Sequence, residues 1–321
     1  MGTLYIDRKD LTVKTRDGAL IFHGEGGAHE GSVPMNPLRR VVVVGDIAIG
    51  ASVLHALGER GVTVAFLSGK HLRYRGHFTG PIHNNGILRM RQYAFVMNGG
   101  AAVAARGIVR RKLSGQRDVL AAARERRPDL RFPLTKAIGV IEKGVELLDR
   151  EPDLPVHSVR GIEGGAAASY FGVFTEMFPP SLEFSKRNRR PPEDPVNAML
   201  SLVYTMLHFE CLREIQVIGL DPTIGVYHAF EYGRESLACD MVELFRPMAD
   251  AWVWEMFRER EFTARDFSSG GERPGTYLKK EGRKRFFQLY EEWARSVRSG
   301  VTAEVRALAS RIMDDGQDAV S

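Results

Sequence analysis

Cysteine is nearly missing from this chain of 321 residues: only Cys211 and Cys239 occur, and they form no CxxC pattern. A small disulfide scaffold is excluded, and a reducing, cytoplasmic setting is the simplest expectation. Long hydrophobic runs are missing as well. The longest apolar stretch, Ala198 to Leu212, is interrupted by His208 and Glu210 and falls short of the ~18 apolar residues of a membrane span, so no membrane association is expected. The opening MGTLYIDRKD carries acids and no apolar core, which argues against a secretory signal. Internal repeats and low-complexity tracts are absent. With 44% hydrophobic and 26% charged residues, the collagenous, coiled-coil and disordered classes also drop out. What remains is a globular chain with length enough for about two domains.

Charge is present in quantity but unevenly placed. The net value is only +5, yet residues 70–136 hold 15 Lys or Arg against three acids. Arg110, Arg111 and Lys112 are its densest run. Such a block suits a phosphate backbone, whose condensed counterions are released as Arg and Lys replace them. A solvated helix face, or ion pairs to acids elsewhere, accounts for it equally well.

The first ~70 residues read as short strands. LTVKT and ALIF flank Asp17-Gly18, a strong hairpin turn, and Arg40 to Val44 reads as a buried strand. VVVVGDIAIGASVLHALGERGVTVAFL runs strand, glycine turn, helix, strand, like a dinucleotide fold. Ile47, however, stands where the middle glycine of GxGxxG must let backbone approach a pyrophosphate. Gly76, Gly80, Pro81 and Gly86 then mark a linker, after which helical patterns dominate. Asp194 as cap, Pro195 in the first turn and apolar residues at helical spacing predict a helix ending at Gly219. A second helix is predicted from Ser236, with Leu237, Met241, Leu244, Phe245 and Met248 inward and a kink or break at Pro247. Residues after about 314 read as a frayed tail.

Three segments carry the ingredients of a metal site that handles phosphate, and a fourth those of an anion-binding corner. In RGIEGGAAASYF, Glu163 precedes small residues that would let a helix or ligand come close. In GLDPTIGVYH, His228 follows a loop rich in Gly and Pro. In SLACDMVELFRP, Asp240 and Glu243 share one face of an otherwise apolar helix, where a nearby cation, or pairing with Arg234 or Arg246, would relieve their repulsion. In NRRPPEDPVNAML, Arg187, Arg189 and Arg190 precede a helix N-terminus and form an anion-binding corner, with Asn197 either a helix-surface residue or a donor to phosphate. Glu, His and a second acid without thiolate suit Mg²⁺ or Mn²⁺.

In their order along the chain, RGIEGGAAASYF, NRRPPEDPVNAML, GLDPTIGVYH and SLACDMVELFRP, the four segments resemble the CRISPR-associated adaptation integrase family, the universal endonuclease-like proteins of spacer acquisition. The likeness spans residues 160 to 247 and extends toward the N-terminus through LYI and GDIAIGASVLHALGERGV. It implies an α+β chain: a small N-terminal β domain with one helix over 1–85, serving a homodimer, and an all-helical catalytic domain over 86–321. By the same resemblance Glu163, His228 and Glu243 are metal ligands, with Asp240 beside them and Asn197 near the site. Arg110, Arg111, Lys112, Arg187, Arg189, Arg190 and Arg234 would hold DNA. The implied reaction is attack of the 3′-hydroxyl of a short duplex on a phosphodiester of a repeat array. The implied partners are double-stranded DNA and a small ferredoxin-like adaptation protein. Two departures stand out: Glu243 replaces an Asp found in some relatives, and Ala229 follows His228 where a Glu is expected. Hydrolysis of branched DNA by the same site, and an inert DNA-binding scaffold, are the alternatives.

Overall fold

The computed structural model describes residues 2–81, 83–188, 191–269 and 274–315. The chain divides into two compact units: residues up to His83 together with Phe286–Glu292, and Asn84–Arg285 together with residues from Trp293 onward.

The first unit is built on two four-stranded sheets. β1 (Gly2–Asp7), β5 (Leu38–Val44) and β7 (Thr63–Leu67) run parallel, and β8 (Tyr74–Phe78) closes that sheet antiparallel to β7. The second sheet has the order β4-β3-β2-β6, from β2 (Thr12–Arg16), β3 (Ala19–His23), β4 (His29–Pro34) and β6 (Ala48–Ile49). The Asp17-Gly18 hairpin forms as expected, with Arg16 opposite Ala19 and both turn residues at positive φ. The parallel pairing of β5 with β7 comes from α1 (Ala51–Glu59), which crosses between them and buries Val53 and Leu57 against Val41, Val43 and Val64. Phe287 stacks on Tyr5 at 4.3 Å between ring centres, and Tyr5 donates to Glu291 at 2.6 Å, which is why a stretch of the last helix belongs with this unit.

The second unit is helical: α2 (Gly86–Met97), α3 (Gly100–Arg126), α4 (Arg131–Arg150), α5 (Val156–Glu176), α6 (Pro195–Ile218), α7 (Ser236–Arg258) and α8 (Lys280–Asp315). It is not wholly so, because β9 (Phe267–Ser269) and β10 (Thr276–Leu278) pair antiparallel between α7 and α8 and bury Phe267, Tyr277 and Leu278. That hairpin corrects the all-helical expectation. α6 begins and ends as read: Asp194 accepts from the Asn197 N–H at 2.8 Å, Pro195 fills the first turn, and Gly219 turns left-handed at φ 99°.

α7 does not break at Pro247 but continues to Arg258. The ring lies against α3 opposite Gly115, where a Cβ would come within 2.9 Å of Pro247 Cβ, so packing into that hollow offsets the lost hydrogen bond. Met248 faces solvent rather than the core; Leu237, Met241 and Phe245 supply the buried side. α3 is the central helix, packed by α4, α5 and α7. Its buried stripe runs through Ala105, Ile108, Val109, Leu113, Gln116 and Leu120, each fully buried aliphatic side chain contributing ~1.5–3 kcal/mol. Lys112 occupies one position of this stripe.

Candidate metal and phosphate site

His228 sits on the loop that crosses the start of α7, and its placement begins with Asp240. The Asp240 carboxylate is fully buried and accepts the N–H groups of Val226 at 2.6 Å, Tyr227 at 2.9 Å and His228 at 2.9 Å. Gly225 makes this wrap possible, since a Cβ there would stand 2.8 Å from Asp240 Oδ2 and from Ser236 Cβ. His228 Nδ1 also lies 2.6 Å from Asp240 Oδ1. A carboxylate can only accept, so this contact assigns the proton to Nδ1 and leaves the Nε2 lone pair open.

One turn along α7, Glu243 shares the face of Asp240 and is 4% exposed. His228 Nε2 lies 3.9 Å from its Oε1. Arg246 Nε stands 2.8 Å from that same oxygen, and its guanidinium covers the Tyr204 ring at 4.3 Å. From α5 comes Glu163, and from α3 comes Lys112. The ammonium donates to Glu163 Oε1 at 2.5 Å and approaches Glu243 Oε2 to 2.6 Å. The latter approach lacks hydrogen-bond direction, so Glu243 Oε2 is a buried oxygen that accepts no directed bond. Burial pushes the Glu243 carboxyl up, but the charges of Arg246 and Lys112 outweigh it and hold the pKa at about 2. Burial and the nearby charges of Glu163 and Glu243 push the Tyr227 phenol well up, marking the same negative locus.

Glu163, His228 and Glu243 therefore converge from α5, a loop and α7. Among the described residues no group of three His, Cys, Asp or Glu stands close enough to hold an ion as placed, because the Lys112 ammonium lies between the two glutamates. The donor set nonetheless fits Mg²⁺ or Mn²⁺: two carboxylates already gathered on one positive charge, an undirected buried oxygen, and an open imidazole nitrogen held by a carboxylate. The flank of α5 beside Glu163 is open, since a Cβ at Gly161, Gly164 or Gly165 would meet nothing within 4 Å. Those small residues leave access for a ligand and do not seat a packed helix.

The other expected residues are dispersed. Lys112 has a side chain only 9% exposed and belongs to this acidic locus, in contrast to the surface contact expected of it. The signal was its place in the apolar stripe of α3. Arg110 and Arg111 are about half exposed, and each pairs with an acid, Arg110 with Asp149 and Arg111 with Glu304 at 2.6 Å. Arg234 pairs with Glu231 at 3.1 Å. Arg187 turns inward to Asn197 Oδ1 at 2.7 Å and to the Tyr204 ring; Arg189 and Arg190 lie outside the described residues. Asn197 is fully buried. Its amide donates to Lys186 O and Asp194 Oδ2 and accepts from Arg187 and the Asn188 N–H, so no donor is left for phosphate and it pins the loop before α6. Tyr204 and Asp250, which the sequence did not single out, form with Arg246 a polar group behind Glu243, with the Tyr204 hydroxyl donating to Asp250; the Arg246–Glu243 pairing is one the sequence offered. A cleft of about 1170 Å³ lined by Phe178, Leu182, Trp254 and Arg260 shares none of the site residues and has no imidazole in its lining.

The profile of the family described as CRISPR associated protein Cas1 matches residues 4–292. The chain is 47% identical over 315 residues to CRISPR-associated endonuclease Cas1 1 of Thermodesulfovibrio yellowstonii, covering 98% of each chain. In fold it is similar to TM1797, a CAS1 protein from Thermotoga maritima, with a TM-score of 0.82, 24% identity, and 98% and 97% of the two chains covered. A chain of a Cas6-RT-Cas1–Cas2 complex superposes with a TM-score of 0.83 at 23% identity, over 98% of this chain and 35% of that one. With the profile, the near full-length identity and the fold in agreement, the chain belongs to the Cas1 family of CRISPR-associated proteins.

Proposed function

We propose that this chain acts in spacer acquisition as a divalent-metal-dependent DNA endonuclease and integrase, inserting short duplex DNA into a repeat array by attack of a 3′-hydroxyl on a phosphodiester. The observation that carries the reading is the convergence of Glu163, His228 and Glu243 beside the open glycine flank of α5. These three side chains would hold Mg²⁺ or Mn²⁺. Such an ion, when bound, supplies Lewis-acid stabilisation of negative charge on phosphoryl oxygens. Asp240 keeps the His228 proton on Nδ1, so Nε2 faces the site as a base or ligand. Arg246 steadies Glu243 through its other oxygen, and Gly161, Gly164 and Gly165 admit a sugar-phosphate strand to within reach of Glu163. Exposed Arg110 and Arg111 exchange their acids for phosphates and position the strand, without reading bases. The partner in this reading is the small ferredoxin-like adaptation protein. The relative in the Cas6-RT-Cas1–Cas2 complex supports that choice. In the same reading the first unit serves a homodimer.

The test is joining of a labelled short duplex to a supercoiled repeat plasmid, with Mn²⁺ or Mg²⁺ and the small partner. Glu163→Ala should abolish joining while leaving DNA affinity in filter binding intact or slightly raised, because an acid near phosphate is removed. Cleaved ends without joining in the wild type would select the branched-DNA nuclease. Undiminished joining by Glu163→Ala would sink the metal-site assignment in favour of a scaffold.

A further inference from the structure

Lysine is among the residues least often buried, and Lys112 is buried between two carboxylates. Glu163 comes from α5 and Glu243 from α7, and the ammonium from α3 is the positive charge they share. Two carboxylates gathered this closely repel each other unless a cation stands between them. Arg246 also contacts Glu243, but through Oε1, and the Tyr204 ring fixes its guanidinium. Lys112 instead reaches the site on a flexible four-carbon stem that can swing aside. A divalent cation on Glu163 and Glu243 needs the oxygens that Lys112 holds, and it repels the ammonium at that distance.

We propose that Lys112 is an internal counter-ion of the site: it holds Glu163 and Glu243 within reach of one another, and a divalent cation binds only by displacing it from them. Lys112 is thus a positioning residue that sets how tightly the metal is held. This rests on the metal-site reading above.

The test uses the full-length protein and Mn²⁺ as the probe, with binding followed by titration calorimetry and folding by thermal unfolding in EDTA or in Mn²⁺. Lys112→Gln removes the competing charge and keeps a polar side chain. It should bind Mn²⁺ about tenfold or more tighter than wild type, while its thermal midpoint in EDTA falls and is recovered by Mn²⁺. Lys112→Arg keeps the charge and should bind Mn²⁺ no tighter than wild type; it carries the comparison if Lys112→Gln fails to fold in EDTA. Equal or weaker Mn²⁺ binding by Lys112→Gln, or tighter binding by Lys112→Arg, overturns the competition and leaves the metal site standing. Mn²⁺ binding that Glu163→Gln leaves unchanged overturns the metal-site reading, and the counter-ion with it.

Discussion

Asp250 shows how a single buried side chain in this protein responds to its surroundings. It lies on α7 at 1% exposure, accepting the Tyr204 hydroxyl, with Tyr170, Arg246 and Arg187 around it. Burial pushes its pKa up to about 6, against the Tyr204 hydrogen bond and the positive charges of Arg246 and Arg187. A folded-state value above the ordinary carboxylate value means that the folded protein takes up this proton first as pH falls. The stability it contributes is therefore fully present below the unfolded value near 4 and is lost as pH rises through about 6. Asp250→Asn removes that titration. Relative to this variant, wild type should gain on the order of 2 kcal/mol in urea unfolding between about pH 7.5 and about pH 4.5. Parallel pH profiles for the two proteins would contradict the assignment.

At the scale of elements, the site depends on how closely α3 and α7 approach. Gly115 and Pro247 set that distance, with a Cβ at Gly115 only 2.9 Å from Pro247 Cβ. Lys112 lies about one turn before Gly115, and Glu243 one turn before Pro247, so the same contact governs the 2.6 Å approach of ammonium to carboxylate. Gly115→Ala should force the helices apart and cost about 1–3 kcal/mol in stability, read as a lower urea midpoint. Gly139→Ala is the matched control on α4, since its Cβ would meet nothing within 4 Å; it should be neutral or stabilise by about 0.5–1 kcal/mol through helix propensity. Equal effects of the two substitutions would show that close approach of α3 to α7 is not what Gly115 provides.

For the whole molecule, the basic block from 70 to 136 splits into residues with different work. Lys112 is internal, while Arg110 and Arg111 remain at the surface beside their acids. Of these three, the surface pair is the one placed to release counterions on binding duplex DNA. Arg110→Ala combined with Arg111→Ala should lower the slope of log affinity against log salt by about one to two. Fluorescence anisotropy across a salt series reads that slope, and an unchanged value places the DNA surface elsewhere. Among the described residues no helix is long and apolar enough to cross a membrane.

The sequence by itself determined the local features. Asp17-Gly18 specified its hairpin, Asp194, Pro195 and Gly219 delimited α6, and the spacing of Asp240 and Glu243 put both acids on one face of α7, because caps, turns and helical period act over a few residues. The order of the four motifs likewise disclosed the family. Contacts between distant residues were not legible. Nothing local tells that β5 pairs parallel with β7, that Pro247 packs into a hollow at Gly115, or that a stretch of α8 joins the first unit. The same holds within the site. Lys112 and Glu163 are 51 positions apart, and Asn197 binds Lys186, Asn188 and Asp194 in place of a ligand. A charge read from sequence has no partner until helices pack, so burial and pairing, which decide whether a lysine meets DNA or two glutamates, belong to the tertiary structure alone.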